Sequence, residues 1–421
     1  MSGKTIFSKD FILVAIGQIV SLFGNQILRF ALPLYLLVQT GSSVLFGTIS
    51  AFSLIPMLLL FPIGGIIADR ANKRNIMVIL DFGTAALISL FCLLIGKIAV
   101  APLMAVIMML LYGIQAAYQP AVQASIPVLV DAEHIMQGNS VVNLITSTAS
   151  MAGPVIGGVL FSIVGLTPIL YVSVACFFAS AVLEIFIRIP FEKKKTVGNI
   201  FITGVRDLKA SLAFILKTRP VLWKASLTYA SVNLLLTPLI LIGLPVLITQ
   251  RLGFEADNAN RLYGYAQGVI AAGAVLGGLL AGIFSKKLKS KASPFILIGC
   301  ALSVLLCGIA LHVFVGSLEI YIVLAVGGGL LTALSTLFQI QIMTYIGILT
   351  PKALIGKVIS CVICVCMCTI PLGQFVYGFV FEKIGNGAYF PFYAAALIMI
   401  GIAIFTRRVF FGIDRLIAEQ L

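Results

Sequence analysis

Few side chains in this sequence could carry proton or ligand chemistry, and their surroundings narrow what that chemistry is. Asp81 stands seven residues after Arg74, and Glu184 stands four residues before Arg188, each within a long apolar run. These spacings suit ion pairs on one helix face near an interface. A carboxylate in an apolar segment can also take part in proton coupling, so Asp81 and Glu184 are the candidates for that role. Arg29 lies inside the first apolar run, about nine residues, or roughly 13 Å, from its far end. A charge there costs at least about 2.5 kcal/mol on insertion scales, and the distance is long for snorkelling. Arg29 is therefore expected to face an interior space and to meet a polar group or an anionic substrate.

Uncharged polar residues repeat at helical spacing around it. Gln18, Asn25 and Arg29 are spaced by seven and four, and Gln115, Gln119 and Gln123 by four. Ser226, Asn233 and Thr237 again give seven and four, and Thr332, Ser335 and Gln339 give three and four. Each set marks one stripe of a helix, and the four stripes fall on every third apolar run. They are expected to line a shared aqueous cavity for substrate.

Enzyme chemistry finds little to work with. The two histidines, His134 and His312, are far apart in the chain, and there is neither an acid cluster nor a nucleotide-binding loop. Cys361, Cys364 and Cys368 share a helix face with Cys366 opposite, but no His or carboxylate accompanies them. We expect no catalytic residue, no metal and no cofactor. All eight Cys lie in apolar runs, which argues against a disulfide framework.

These residues must be positioned by membrane helices. The 421 residues are 61% hydrophobic and 10% charged, against about 25% charged in soluble domains. That excludes a soluble enzyme. Twelve apolar runs are legible, at about 11–38, 44–67, 76–96, 102–124, 140–163, 168–189, 221–249, 261–284, 294–315, 320–346, 357–380 and 389–411. They lack the two-residue alternation of barrel strands and are long enough to span as helices. The first run is too long for a cleaved signal segment and is expected to be a retained helix. With both termini inside, only Lys97, Arg251, Arg261 and Lys383 of the 28 basic residues fall outside, and Arg29 falls within a span. The positive-inside rule thus accounts for the net charge of +14 without nucleic acid. The expected location is a cell (inner) membrane, multi-pass, with cytoplasmic termini and a monomeric chain.

The fold class is all-α integral membrane, in two pseudo-symmetric six-helix halves. Residues 1–189 form the first half and 221–421 the second. Residues 190–220 form a cytoplasmic linker in which Phe201, Val205, Leu208, Leu212 and Ile215 recur at the spacing of an amphipathic surface helix. A weak repeat agrees: GGIIADRANKRN follows the second span and AGIFSKKLKSK the eighth. Gly264, Gly268, Gly273, Gly277, Gly278 and Gly282 of the eighth span have the spacing of close helix packing.

The most specific string runs from Gly65 through Asp69, Arg70 and Asn72 to Lys73 and Arg74. It reads as a tight turn between the second and third spans, with Asn72 tolerating a left-handed conformation and Asp69 facing a helix N-terminus. The string resembles the signature loop of the major facilitator superfamily, with Asn72 in place of its second glycine. Gly153, Pro154, Gly157 and Gly158 resemble the glycine-proline motif of its antiporters. LPLYLLVQTGSS, ASIPVLVDAEHIMQGNS, IGKVIS and PLGQFVYGF resemble the branch with macrolide-efflux proteins and siderophore exporters. The resemblance implies secondary transport by alternating access: export of small amphipathic molecules such as drugs or antibiotics, by proton antiport across the lipid bilayer. It also implies a gating role for Gly65, Asp69, Arg70, Lys73 and Arg74, with Asp69 near Gly356. Other readings are export of an anionic metabolite or siderophore, suggested by Arg29, and a lipid flippase.

Overall fold

Apolar runs of this length can satisfy their backbone in lipid only as helices, and the computed structural model has twelve helices long and apolar enough to cross a membrane. It describes residues 8–189, 213–284, 290–351, 354–385 and 387–418, with side chains left aside for 61–70, 132 and 414–418. The helices are α1 (Lys9–Thr40), α2 (Ser43–Arg70), α3 (Lys73–Leu94), α4 (Val100–Leu129), α5 (Ile135–Val164), α6 (Leu166–Ile185), α7 (Pro220–Arg251), α8 (Ala256–Ile283), α9 (Ser293–Val313), α10 (Ser317–Leu349), α11 (Ile355–Lys383) and α12 (Phe390–Ala418). No strand occurs among the described residues. The all-α reading holds, and most helices run a few residues past the apolar runs.

Local chemistry sets several ends. The Ser8 side chain accepts from Phe11 N–H and starts α1, and Gly41, at φ 63°, stops it with its N–H on Leu37 O at 2.9 Å. Asn72 corrects an expectation. Its φ is −66° and its ψ 113°, and its side chain accepts from Arg74 N–H at 3.1 Å. It is an extended N-cap of α3 rather than a left-handed turn residue, so a second glycine is not required at this place. α7 is not continuous. Its first part ends at Leu235, a second begins at Thr237-Pro238, and Leu247–Arg251 forms a π-type turn after Pro245. Each proline removes a backbone donor and crowds the preceding turn.

Two compact units form by contact. One comprises the described residues up to 189 together with Glu255–Tyr265, and the other comprises the remaining described residues. In the first, α2 packs on α4, α3 on α6, and α1 on α5 and α6. In the second, α9 packs on α10 and α12, and α11 on α7. Most of the expected linker helix lies outside the described residues. At its end, Phe214–Thr218 forms a π-type turn with Ile215 buried.

Glycines allow the closest approaches. A Cβ at Gly153 would fall 2.5 Å from Gln26 Cβ, and one at Gly157 3.2 Å from the Phe30 ring, so both let α5 press on α1. A Cβ at Gly158 would stand 2.8 Å from Gly264 Cα. On α8, a Cβ at Gly273 or Gly277 would run into the backbone of α10, at Gly329 O and Ala333 O, whereas Gly278 and Gly282 face open space. The packing role expected of the α8 glycines therefore belongs to some of them and not to all.

Candidate functional site

Asp81 and Glu184 are not interfacial ion pairs. Asp81 is 2% exposed and Glu184 is fully buried. Arg74 turns to Ile185 O instead, and Arg188 is exposed, its backbone N–H donating to Asp10 Oδ1 at 3.0 Å. Helix periodicity explains the difference. Asp81 lies on the same face of α3 as Met77, Thr84, Ala85 and Ile88, and Glu184 on the same face of α6 as Phe177, Ser180 and Ala181. These faces point into the unit, and the carboxylates follow them.

Inside, both carboxylates flank one turn of α1. Ser21 Oγ donates to Asp81 Oδ1 at 3.1 Å. One turn earlier, Gly17 leaves room for α6: a Cβ there would contact Ser180 Oγ at 3.4 Å and Glu184 Cγ at 3.6 Å. Ser180 Oγ donates to Gly17 O at 3.1 Å. Tyr118 of α4 donates to Glu184 Oε1 at 2.8 Å and accepts from Gln18 Nε2 at 3.0 Å. Asp81 Oδ2, Glu184 Oε2 and Gln18 Oε1 are buried without a hydrogen-bond partner. No Lys or Arg among the described residues pairs with either carboxylate. An apolar layer of Phe11, Val14, Met77, Val122, Ile126 and Ile187 adjoins the cluster on the side of the α1 N-terminus.

From this cluster a polar ladder runs along antiparallel α1 and α4. Gln18 meets Tyr118, then Asn25 Nδ2 donates to Gln115 Oε1 at 2.9 Å, then the Arg29 guanidinium lies 4.3 Å from the centroid of the Tyr112 ring. Gln18 and Arg29 are eleven residues apart, or about 16 Å along the helix. At the Arg29 end, Asn25, Leu28, Arg29, Leu111, Tyr112 and Gln115 enclose a cavity of about 10 Å³, which is room for about one water. Arg29 is half-buried and has no acidic partner among the described residues. The guanidinium is held between α1 and α4 against the Tyr112 ring.

The other expected cavity residues divide. Gln119 is half-buried without a hydrogen bond among the described residues, and Gln123 is exposed. In the second unit, Asn233 Nδ2 donates to Cys366 O of α11 at 3.2 Å, the Ser226 hydroxyl donates to Leu222 O of its own helix, and the Ser226 carbonyl accepts from Cys366 Sγ. Thr237 is half-buried where the second part of α7 begins. Thr332 Oγ1 donates to Ile270 O of α8 at 3.0 Å, Ser335 Oγ donates to Thr332 O, and Gln339 is half-buried. Of the gating string, the side chains of Gly65, Asp69 and Arg70 lie outside those described. Lys73 and Arg74 open α3. Ser21, Tyr112, Tyr118 and Ser180 were not singled out by sequence. The signal was present on α4, where Tyr112, Gln115 and Tyr118 recur every three residues.

Residues 14–368 match the Major Facilitator Superfamily. The chain belongs to this family. It is therefore a multi-pass membrane transporter with the superfamily's all-helical fold. It is 24% identical to macrolide efflux protein A of Streptococcus pyogenes over 200 residues, covering 47% of this chain and 49% of that protein. It is 26% identical to the staphyloferrin A transporter of Staphylococcus aureus over 182 residues, covering 43% and 44%. The chain thus matches these superfamily relatives over about half their length or less. Among solved structures, a bacterial homologue of the human lysosomal transporter Spinster superposes with a TM-score of 0.67 at 14% identity, covering 97% of this chain and 98% of that one.

Proposed function

We propose that the protein exports small amphipathic molecules, antibiotics or similar drugs, in exchange for protons, and that Asp81 and Glu184 form the proton-binding pair. The carrying observation is the pair itself: two carboxylates buried against one turn of α1, each with an unpartnered oxygen, neither paired with a Lys or Arg among the described residues. Two like charges in such an interior are costly, and a bound proton removes that cost. Glu184 is joined by hydrogen bonds through Tyr118 to Gln18, on the same stripe of α1 as Asn25 and Arg29, while Asp81 bonds Ser21 of the same helix. Similarity to macrolide efflux protein A supports the export direction and the substrate class.

A second reading has its own support. Arg29 stacks on Tyr112 with no acidic partner among the described residues, which suits an anionic substrate. Similarity to the staphyloferrin A transporter points the same way. The test is transport in proteoliposomes under an imposed pH gradient, with a panel of cationic, neutral and anionic compounds. Wild type is expected to accumulate at least one of them against its gradient. Asp81→Asn combined with Glu184→Gln is expected to lose that accumulation while still exchanging substrate without a gradient. Full gradient-driven accumulation by the double variant would refute the pair's role.

A further inference from the structure

Ser290 Oγ donates to Phe410 O at 2.6 Å, tying the start of the α9 region to the end of α12. This fixes Lys291 beside α12, with its Nζ 5.4 Å from the centroid of the Phe411 ring. Arg407 Cζ lies 5.5 Å from the same ring. Arg408 joins Arg407, Phe411 and Gly412 in lining an open cleft of about 450 Å³. Lys291, Arg407 and Arg408 are all exposed, and none has an acidic partner among the described residues. Two cations drawn to one aromatic ring repel each other, and an anion in the adjoining cleft would offset that repulsion.

The cleft opens where an exposed apolar surface ends. Ile404 is 65% exposed and Phe405 85% exposed, and Ile404, Arg408 and Phe411 fall on one helix face at spacings of four and three. Apolar surface therefore leads directly into a basic recess, which is the order of groups along a phospholipid from acyl chain to headgroup.

We propose that this cleft binds the phosphate headgroup of an anionic phospholipid. The two guanidiniums hold the phosphate oxygens, Lys291 adds neutralising charge, and Ile404 and Phe405 contact the acyl chain. The site lies wholly in the second unit and does not depend on the transport reading. A free phosphate shares the headgroup's charge but not the acyl contact, so the two sources separate experimentally.

The experiment measures lipid retention by native mass spectrometry, and melting temperature, of the purified full-length protein in neutral detergent. Phosphatidylglycerol, phosphatidylcholine and glycerol phosphate are added in turn. Wild type is expected to retain phosphatidylglycerol at least fivefold more than phosphatidylcholine, to melt several degrees higher with it, and to be unmoved by glycerol phosphate. Arg407→Gln with Arg408→Gln is expected to remove the preference, and Lys291→Gln, a milder change, to reduce it. Lys97→Gln with Lys383→Gln should leave it intact. Equal retention of the two lipids by wild type, or an undiminished preference in Lys291→Gln and in any Arg407/Arg408 variant that folds, would overturn the proposal. A full response to glycerol phosphate would overturn the lipid as occupant.

Discussion

Tyr118 occupies the joint between the carboxylate pair and the polar ladder, because its hydroxyl donates to Glu184 and accepts from Gln18. Removing it leaves both partners buried and short of a bond, and a hydrogen bond to a charged group contributes about 1.5–3 kcal/mol. Tyr118→Phe keeps the ring that packs in the apolar layer. The variant is expected to insert and fold normally, yet to lose about tenfold in gradient-driven transport. Comparing that rate with substrate exchange at equal pH on both sides checks the assignment: a parallel fall in both would make Tyr118 a packing residue. Arg29 calls for a different test, because its guanidinium already has an aromatic face to lie on and needs an anion only at its edge. Arg29→Lys keeps the charge without the planar fork and is expected to weaken an anionic compound partly. Arg29→Gln is expected to weaken the same compound about tenfold or more and a matched cationic one much less. Competition assays with matched anionic, neutral and cationic compounds decide it, and equal losses across all three would assign Arg29 to structure.

Among the elements, the spans were readable because hydropathy is a property of consecutive residues. The break in α7 at Leu236 was less so, because Pro238 and Pro245 sit in a run that is apolar throughout. The carboxylates show why pairing is harder to read than length. Asp81 and Glu184 each have a basic residue at helical spacing on their own helix, so the local pattern suggests ion pairs. Their actual neighbours, Ser21 and Tyr118, are on other helices. The glycines of α8 make the same point, since one spacing pattern covers both packed and open positions. Gly273 is expected not to tolerate a side chain, because its Cβ would meet the Gly329 carbonyl of α10. Gly273→Ala should destabilise by about 1–3 kcal/mol, as overpacking does. Gly278→Ala faces open space and should be neutral or slightly stabilising, since alanine favours a helix. Denaturation of the two purified variants in micelles, side by side, measures the difference.

At the scale of the whole molecule, the distribution of basic residues and the position of the polar ladder bear on the same question, namely which side supplies the proton. Lys and Arg concentrate at one set of span ends, and by the positive-inside rule both termini are expected to lie inside. Single cysteines at positions 97 and 316, in a background lacking the native thiols, are expected to react with an impermeant maleimide in intact cells. Cysteines at 73 and 133 should react only after permeabilisation. If that orientation holds, the apolar layer around Phe11, Met77 and Ile126 lies between the carboxylate pair and the inside, while the ladder through Asn25 and Gln115 leads outward. Protons would then reach the pair from the outer compartment in this conformation, as exchange for an exported molecule requires. The consequence is measurable in right-side-out vesicles. With the inner pH held constant, acidifying the outside should raise the rate of substrate export, and Asn25→Leu, which removes one rung without touching a carboxylate, should flatten that dependence. A pH response unchanged by Asn25→Leu would mean that protons reach Asp81 and Glu184 by another path.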